Sequence, residues 1–373
     1  MSTLQILLTV LLIAGWLWAL LAVRYFSSMP PVGRFFSIVV FALAPWVGAV
    51  LGGWTEFAIV LACVWVPVLF AWWVVPPRND LDWAPDQDRL AQIEFDGDHV
   101  TIRNLRRWVP AGSVPEGGAT VADETRKTLE FAGSSVGEAG ESIPEGGATV
   151  ADVTGRSAAE DGEITWYDRT FDLSEVRTVD YIVVPFGRVE ALAHSFVTFG
   201  FSDGLHLPIS VEVRRERPEV YNPVAGIYRQ YEIMYVMGDE RDLIGRRANV
   251  KHYPVYVYPV RATRRQVRNM LESMLHRAQK LGDHPEFYNT LINNCSTNIL
   301  RHLNEIEGGR FPLGYRVIAP GLSAFWAYEH GLIDTDLPFQ KAKELYRINE
   351  RAAYGAGEVG WSKQIRRHTD LRD

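Results

Sequence analysis

Cysteine is nearly absent: Cys63 and Cys295 are the only two in 373 residues. A disulfide framework is therefore excluded, and so is a zinc ribbon, which needs four nitrogen or sulfur ligands in paired spacing. No His-x-x-x-His pair occurs either, so neither a metal nor another cofactor is expected. The chain also lacks a basic excess. Its formal net charge is -7 and its pI about 5.8, which removes the field that nucleic acid would require. With 47% hydrophobic and 22% charged residues, wholesale disorder is excluded as well. The most informative absence is local. No charged residue falls within about 4–23, 35–53 or 57–75.

Each of these runs approaches the ~20 apolar residues that a helix needs to cross a ~30 Å hydrocarbon layer. Trp16, Trp18, Trp54, Trp65, Trp72 and Trp73 suit interfacial belts. A cleaved signal peptide does not fit the first run, because no basic residue precedes Leu4 and Arg24-Tyr25-Phe26 follows where small residues would be required. Residues 1–75 therefore read as an anchor of about three transmembrane helices, with Pro45 and Pro67 as possible kinks. Arg24, Arg34, Arg78 and Arg89 lie on one side, and the positive-inside rule alone would make that side cytoplasmic.

From residue 76 to 367 the composition is mixed and globular. Ile93–Asn104 reads as a hairpin turning at Asp96-Gly97-Asp98. Residues 110–162 are poor in large apolar side chains and repeat Pro-Glu-Gly-Gly-Ala-Thr-Val-Ala-Asp at 115–123 and 144–152. Two polar copies cannot stack into a solenoid, so this stretch is expected to be a flexible surface insertion. Val179–Pro185, Ala193–Phe201, Leu205–Val213, Tyr231–Met237 and Val255–Val260 read as strands, and Thr263–Leu281 as an amphipathic helix. The class is α+β, with strands before helices, and 368–373 is a tail.

Cys295 follows Asn293-Asn294, which suits a helix cap. Ile299, Leu300, Leu303 and Ile306 form the apolar stripe behind it. A thiol in the first turn of a helix is biased towards thiolate by the positive helix end; a small buried hydrophobe is the bland alternative. A nucleophile needs a base. His194 interrupts an apolar strand and His206 lies on the strand after the Ser202-Asp203-Gly204 turn, so one is expected to act as base and the other to orient it. His302, seven residues beyond the cysteine on its own helix, has no such setting.

Four separated blocks, Ala193–Gly204, Ile209–Glu216, Arg229–Asp242 and Phe287–Ile299, together resemble a bacterial membrane family, the one named for the amino-terminal periplasmic domain of Lnb, a lipoprotein N-acyltransferase. That family is similar in turn to the permuted NlpC/P60 group that includes lecithin:retinol acyltransferase. There a histidine strand precedes an Asn-Cys helix, and a second histidine follows at the spacing between His194 and His206. Ser296 stands where threonine is usual. The resemblance implies a papain-like antiparallel sheet with a cysteine-bearing helix, a catalytic set of Cys295, His194 and His206, and Asn294, Ser296 and Tyr288 as substrate-binding or oxyanion residues. It implies a bacterial inner-membrane, multi-pass protein with a periplasmic catalytic domain, against the arginine bias. The expected activity is transfer of an acyl chain from a phospholipid, through a thioester, to a lipoprotein or lipid amine. Two other readings are a Cys-His phospholipase, peptidase or amidase and a noncatalytic envelope assembly protein.

Overall fold

A computed structural model describes residues 3–26, 31–110, 162–187, 189–353 and 357–367. The expected insertion, save for its end residues Pro110 and Gly162, and the tail 368–373 lie outside the described residues. Three helices open the chain: α1 (Thr3–Phe26), α2 (Pro31–Gly52) and α3 (Trp54–Val74). Val32–Gly52 and Trp54–Val74 are long and apolar enough to cross a membrane, with mean hydropathies of 2.1 and 2.3, while the apolar stretch of α1 is the shorter Val10–Tyr25. Two candidate spans thus stand among the described residues where three were expected. Val50 and Trp73 are each 86% exposed, an arrangement that suits lipid better than water.

Pro45 and Pro67 lie inside continuous helices. Gly53, at φ 86°, is the single residue between α2 and α3, and glycine takes that left-handed conformation without a Cβ penalty. Indoles knit the helices together. Trp16 donates to the Phe41 carbonyl at 3.0 Å and meets Trp46 edge-on at 5.8 Å. Gly15 admits the Trp65 ring, which a Cβ there would overlap.

The chain groups into two compact units, each assembled from three stretches: 1–93, 210–236 and 269–318 in the first, 94–209, 237–268 and 319–373 in the second. In the second unit β2 (His99–Pro110) pairs antiparallel with β3 (Gly162–Asp172), Pro110 opposite Gly162. A register shift between Ile102 and Leu105 coincides with Asn104 at φ 60°, a left-handed position that asparagine tolerates within a bulge. Preceding them is β1 (Gln92–Asp96), whose turn into β2 is made by Gly97 at φ 61°, as the hairpin reading required.

The larger antiparallel sheet places β4 (Val176–Pro185) between β8 (Tyr256–Pro259) and β5 (Ala193–Phe201). Next to β5 runs β6 (His206–Arg214), paired from Gly200↔His206 to Val197↔Ile209. Beyond residue 209 β6 enters the first unit, where it neighbours β7 (Glu232–Met237). Eight of the nine β5 residues are buried, so this strand is covered on both faces and reads as a continuous apolar run.

A cluster of charges fixes the second unit. Arg106 donates to Asp242 at 2.7 Å with both side chains buried. Glu240 accepts from Thr198 at 2.7 Å, from Ser362 at 2.6 Å and from Arg366 at 2.5 Å, while Arg366 also reaches Asp180 at 2.8 Å. Burial opposes a charge on Glu240, yet the Arg366 guanidinium holds its carboxyl at about 2. Ser362 belongs to α6 (Glu358–Ile365), whose Trp361 and Ile365 are fully buried. This cluster locks the end of the described chain to the sheet.

Candidate functional site

In the first unit, α5 (Cys295–Glu307) begins at the cysteine itself. The Asn294 side chain accepts from the Thr297 amide at 2.9 Å, and the Asn294 amide donates to the Thr297 hydroxyl at 2.8 Å. This reciprocal capping box fixes the first turn. Cys295 is only 3% exposed and forms no disulfide.

Its neighbours are scaffold. Asn294 Nδ2 donates to the carbonyls of Thr290 (2.7 Å) and Ile318 (3.1 Å), and its Oδ1 is occupied by the cap. Ser296 Oγ donates to the Val317 carbonyl at 2.5 Å. Both residues were expected to bind substrate or an oxyanion; their side-chain polar atoms are committed to the backbone that carries the cysteine.

Tyr288 is buried, and its hydroxyl is pushed well above the ordinary phenol range by that burial and by negative charge at Cys295. The sequence reading missed Tyr221. Its hydroxyl rises to about 12 for the same two reasons, partly offset by hydrogen bonds with Tyr288 and Thr290. A phenol pair therefore lies within electrostatic reach of the sulfur. Tyr231 pins the backbone on both sides of Tyr221: its hydroxyl accepts from the Asn222 amide at 2.9 Å and donates to the Val220 carbonyl at 2.8 Å. No periodicity signals this role, since Tyr221 lies in a loop.

His302 was set aside in the sequence reading, and the structure gives it a scaffold position. It is 1% exposed, with Nε2 2.8 Å from the Tyr235 hydroxyl and Nδ1 2.7 Å from the Ser273 hydroxyl. Burial depresses its pKa to about 4, so the ring is neutral at physiological pH. It bolts α5 to β7 and to α4 (Arg264–Asp283).

The two other candidate histidines lie in the second unit. His194 is half-buried, stands opposite Val184 and stacks on Phe196 with centroids 5.5 Å apart; the Arg247 guanidinium lies 5.3 Å from the same Phe196 ring. His206 stands opposite Gly200. Positions 194 and 200 share a face, but six residues at about 3.3 Å each separate the two histidines by roughly 20 Å along the sheet. One histidine therefore cannot orient the other, and the expected catalytic role of His206 is not supported. Its ring sits within 3.1 Å of the Gly204 carbonyl. Burial lowers its pKa, with Glu240, Arg366 and Asp180 as the charges acting on it. It belongs to the Glu240 cluster.

Among the described residues no group of three or more His, Cys, Asp or Glu could hold a metal ion. A groove of about 490 Å³ is lined by Val39, Leu43, Val47, Leu51 and Val60 of the apolar helices, and none of the candidate residues borders it. No curated protein and no solved structure matches the chain. Residues 163–321, which include every candidate site residue, match the family described as the Lnb N-terminal periplasmic domain, and apolar helices long enough to cross a membrane precede that stretch.

Proposed function

We propose that the protein is a membrane-bound thiol acyltransferase with Cys295 as nucleophile and His194 as base. The observation that carries this reading is a cysteine at the first residue of a capped, rigidly bolted helix, inside the stretch that matches a periplasmic domain family. His194 takes the Sγ proton and the thiolate attacks the ester carbonyl of a phospholipid. Backbone N–H groups at the start of α5 stabilise the oxyanion. The adduct collapses, the alcohol leaves with the proton from the imidazolium, and a thioester remains. An amine of a lipoprotein or lipid then attacks; its proton passes through His194 to the departing thiolate, and an amide is formed. With water as acceptor the same steps would give a hydrolase, and product analysis separates the two.

The same reading takes α1 as a third span, the domain as a permuted NlpC/P60-like fold, and the inner membrane of a bacterium as its location, with the domain in the periplasm. The test is mass spectrometry of lipids and lipoproteins with active protein, Cys295→Ala and His194→Ala. Cys295→Ala should abolish acyl transfer with the protein still folded. His194→Ala should cost on the order of 10²–10⁴-fold. Retained turnover without Cys295 would end the covalent mechanism.

A further inference from the structure

Two aliphatic side chains stand out three and four residues before the cysteine. Ile292 is 64% exposed and Leu291 44% exposed. They form the tip of a tight loop whose ends exchange backbone hydrogen bonds, Asn289 to Asn293 at 3.1 Å and Asn293 to Asn289 at 2.9 Å. Inside the loop the Asn289 carboxamide oxygen accepts from the Leu291 amide at 2.9 Å and the Ile292 amide at 3.2 Å. The turn thus holds both side chains outward. Each would gain about 1.5–3 kcal/mol by leaving water, so a built turn that displays them adjacently calls for an apolar partner.

The first unit itself indicates which partner. The loop is fastened to the segment 222–229: the Thr290 amide donates to the Gly226 carbonyl at 3.3 Å, and its hydroxyl to the Pro223 carbonyl at 2.7 Å. Gly226 allows this approach, since a Cβ there would strike the Thr290 hydroxyl. The same segment plugs into the carboxyl ends of α1 and α3. Tyr228 is 4% exposed in a cluster with Ala22, Val23 and Val68, and its ring lies 6.0 Å from Tyr25 and 6.1 Å from Trp18. Arg229, at φ 54°, donates to the Trp72 carbonyl and lies 4.6 Å over the Trp72 ring, placing a cation at the helix end where it opposes the dipole. These are the helix ends at which apolar sequence gives way to Arg24 and to the polar residues after Val75, the zone in which indoles and phenols mark a membrane interface.

We propose that the Leu291–Ile292 tip inserts into the adjacent bilayer leaflet, at the boundary between headgroups and acyl chains. Val224, 39% exposed on the segment that carries Tyr228, widens the same apolar surface. Three extended residues span at most about 11 Å, so the inserted tip keeps the Cys295 sulfur within about that distance of the leaflet. An acyl ester can then reach the thiol without leaving the lipid phase. This inference rests on the membrane-anchored reading of α2 and α3, and it names the lipid surface as the source of substrate.

The full chain carrying Cys63→Ala and Cys295→Ser, with Ile292→Cys as the single thiol, would be labelled with an environment-sensitive nitrobenzoxadiazole and reconstituted into phosphatidylcholine–phosphatidylglycerol vesicles. A second protein would carry the label at Arg310→Cys, beyond the far end of α5, about 20 Å along a 13-residue helix. Label at 292 should shift to the blue and be quenched at least twofold more than label at 310 by lipids bearing a nitroxide near the top of the acyl chain. Water-like emission at 292, or equal quenching at both sites, would overturn the proposal. The measurement needs no turnover, so failure of acyl transfer and failure of insertion are separate results.

Discussion

Arg366→Met should unlock the second unit, and the loss should depend on pH in a direction that the Glu240 cluster dictates. The Glu240 side chain is fully buried and Arg366 only 15% exposed. Holding the carboxyl at about 2 against an ordinary 4.5 corresponds to 2.5 pH units, or about 3 kcal/mol at 1.36 kcal/mol per unit. Removing one partner of a buried pair costs about 3–5 kcal/mol by independent measure, so the two routes agree. A depressed carboxylate pKa contributes stability that is present above about 4.5 and is lost as pH falls through 2. In the variant, burial is opposed only by the hydrogen bonds from Thr198 and Ser362 and by His206, so the same pKa rises, the buried charge costs most at pH 7 and the cost falls as Glu240 protonates. The gap between the two proteins should therefore be widest near pH 7 and close towards pH 3.

Because the chain has two compact units, a single melting temperature is a poor readout. Amide hydrogen exchange of β5 and α6 reports the local free energy directly. Arg366→Met should lower protection there by about 3 kcal/mol at pH 7, and Glu240→Gln added to Arg366→Met should restore part of it. Unchanged protection within 1 kcal/mol at pH 7, or a loss that does not vary with pH, would refute the assignment of this pair as the lock.

Three further outcomes are expected. Deleting 114–159 with a short Gly-Ser bridge should leave β2–β3 pairing intact, since Pro110 and Gly162 are cross-strand partners about 5 Å apart; lost exchange protection in Thr101–Trp108 would count against this. Glu232, raised to about 7 by burial, binds its proton more tightly folded than unfolded, so the first unit should lose up to about 3 kcal/mol between pH 4.5 and 7, and Glu232→Gln should flatten that slope in exchange measurements on β7. Alkaline phosphatase fused after Asp373 should be active if the domain is periplasmic, whereas an inactive fusion with a bright cytoplasmic fluorescent reporter would leave only phospholipid or small-amine acylation as the reading.

What was legible in the sequence had a short range. Charge-free runs marked the apolar helices, alternating β-branched residues marked β4 to β8, and Asn294 marked the start of α5 within one residue. The strand β3 was not legible, because its partner β2 lies across residues 111–161 and no local pattern announces a pairing of that range. The histidine error is different. A tight turn centred on residue 203 pairs 200 with 206, so the distance between His194 and His206 could have been counted from the sequence. Twelve residues apart suggested opposition, whereas register is set by the turn. Tyr221 was missed because it stands in no motif, being placed by the Tyr231 hydroxyl; His302 was rightly set aside as a base, but its role in holding α5 through Tyr235 and Ser273 has no sequence signal.

The Arg229–Asp242 block shows why resemblance located the domain better than it assigned roles. Arg229 caps α3 through the Trp72 carbonyl, Tyr231 pins the backbone flanking Tyr221, and Glu232 accepts from the Arg78 amide at 3.1 Å. Tyr235 holds His302, Asp239 takes Arg241 at 3.0 Å, and Glu240 and Asp242 take Arg366 and Arg106. Apart from Asp239, whose partner lies two residues along the same block, each of these polar side chains fastens a different part of the chain, and a buried charge left without its partner costs several kcal/mol. A sequence block can thus be demanding because it is scaffold. The chemistry then has to be sought where a reactive atom is held in place by such scaffold. Asn294, Ser296 and Thr297 are committed to holding the first turn of α5, while the sulfur of Cys295 sits in that turn within electrostatic reach of two phenols, just after a loop tied to the segment that meets the apolar helices.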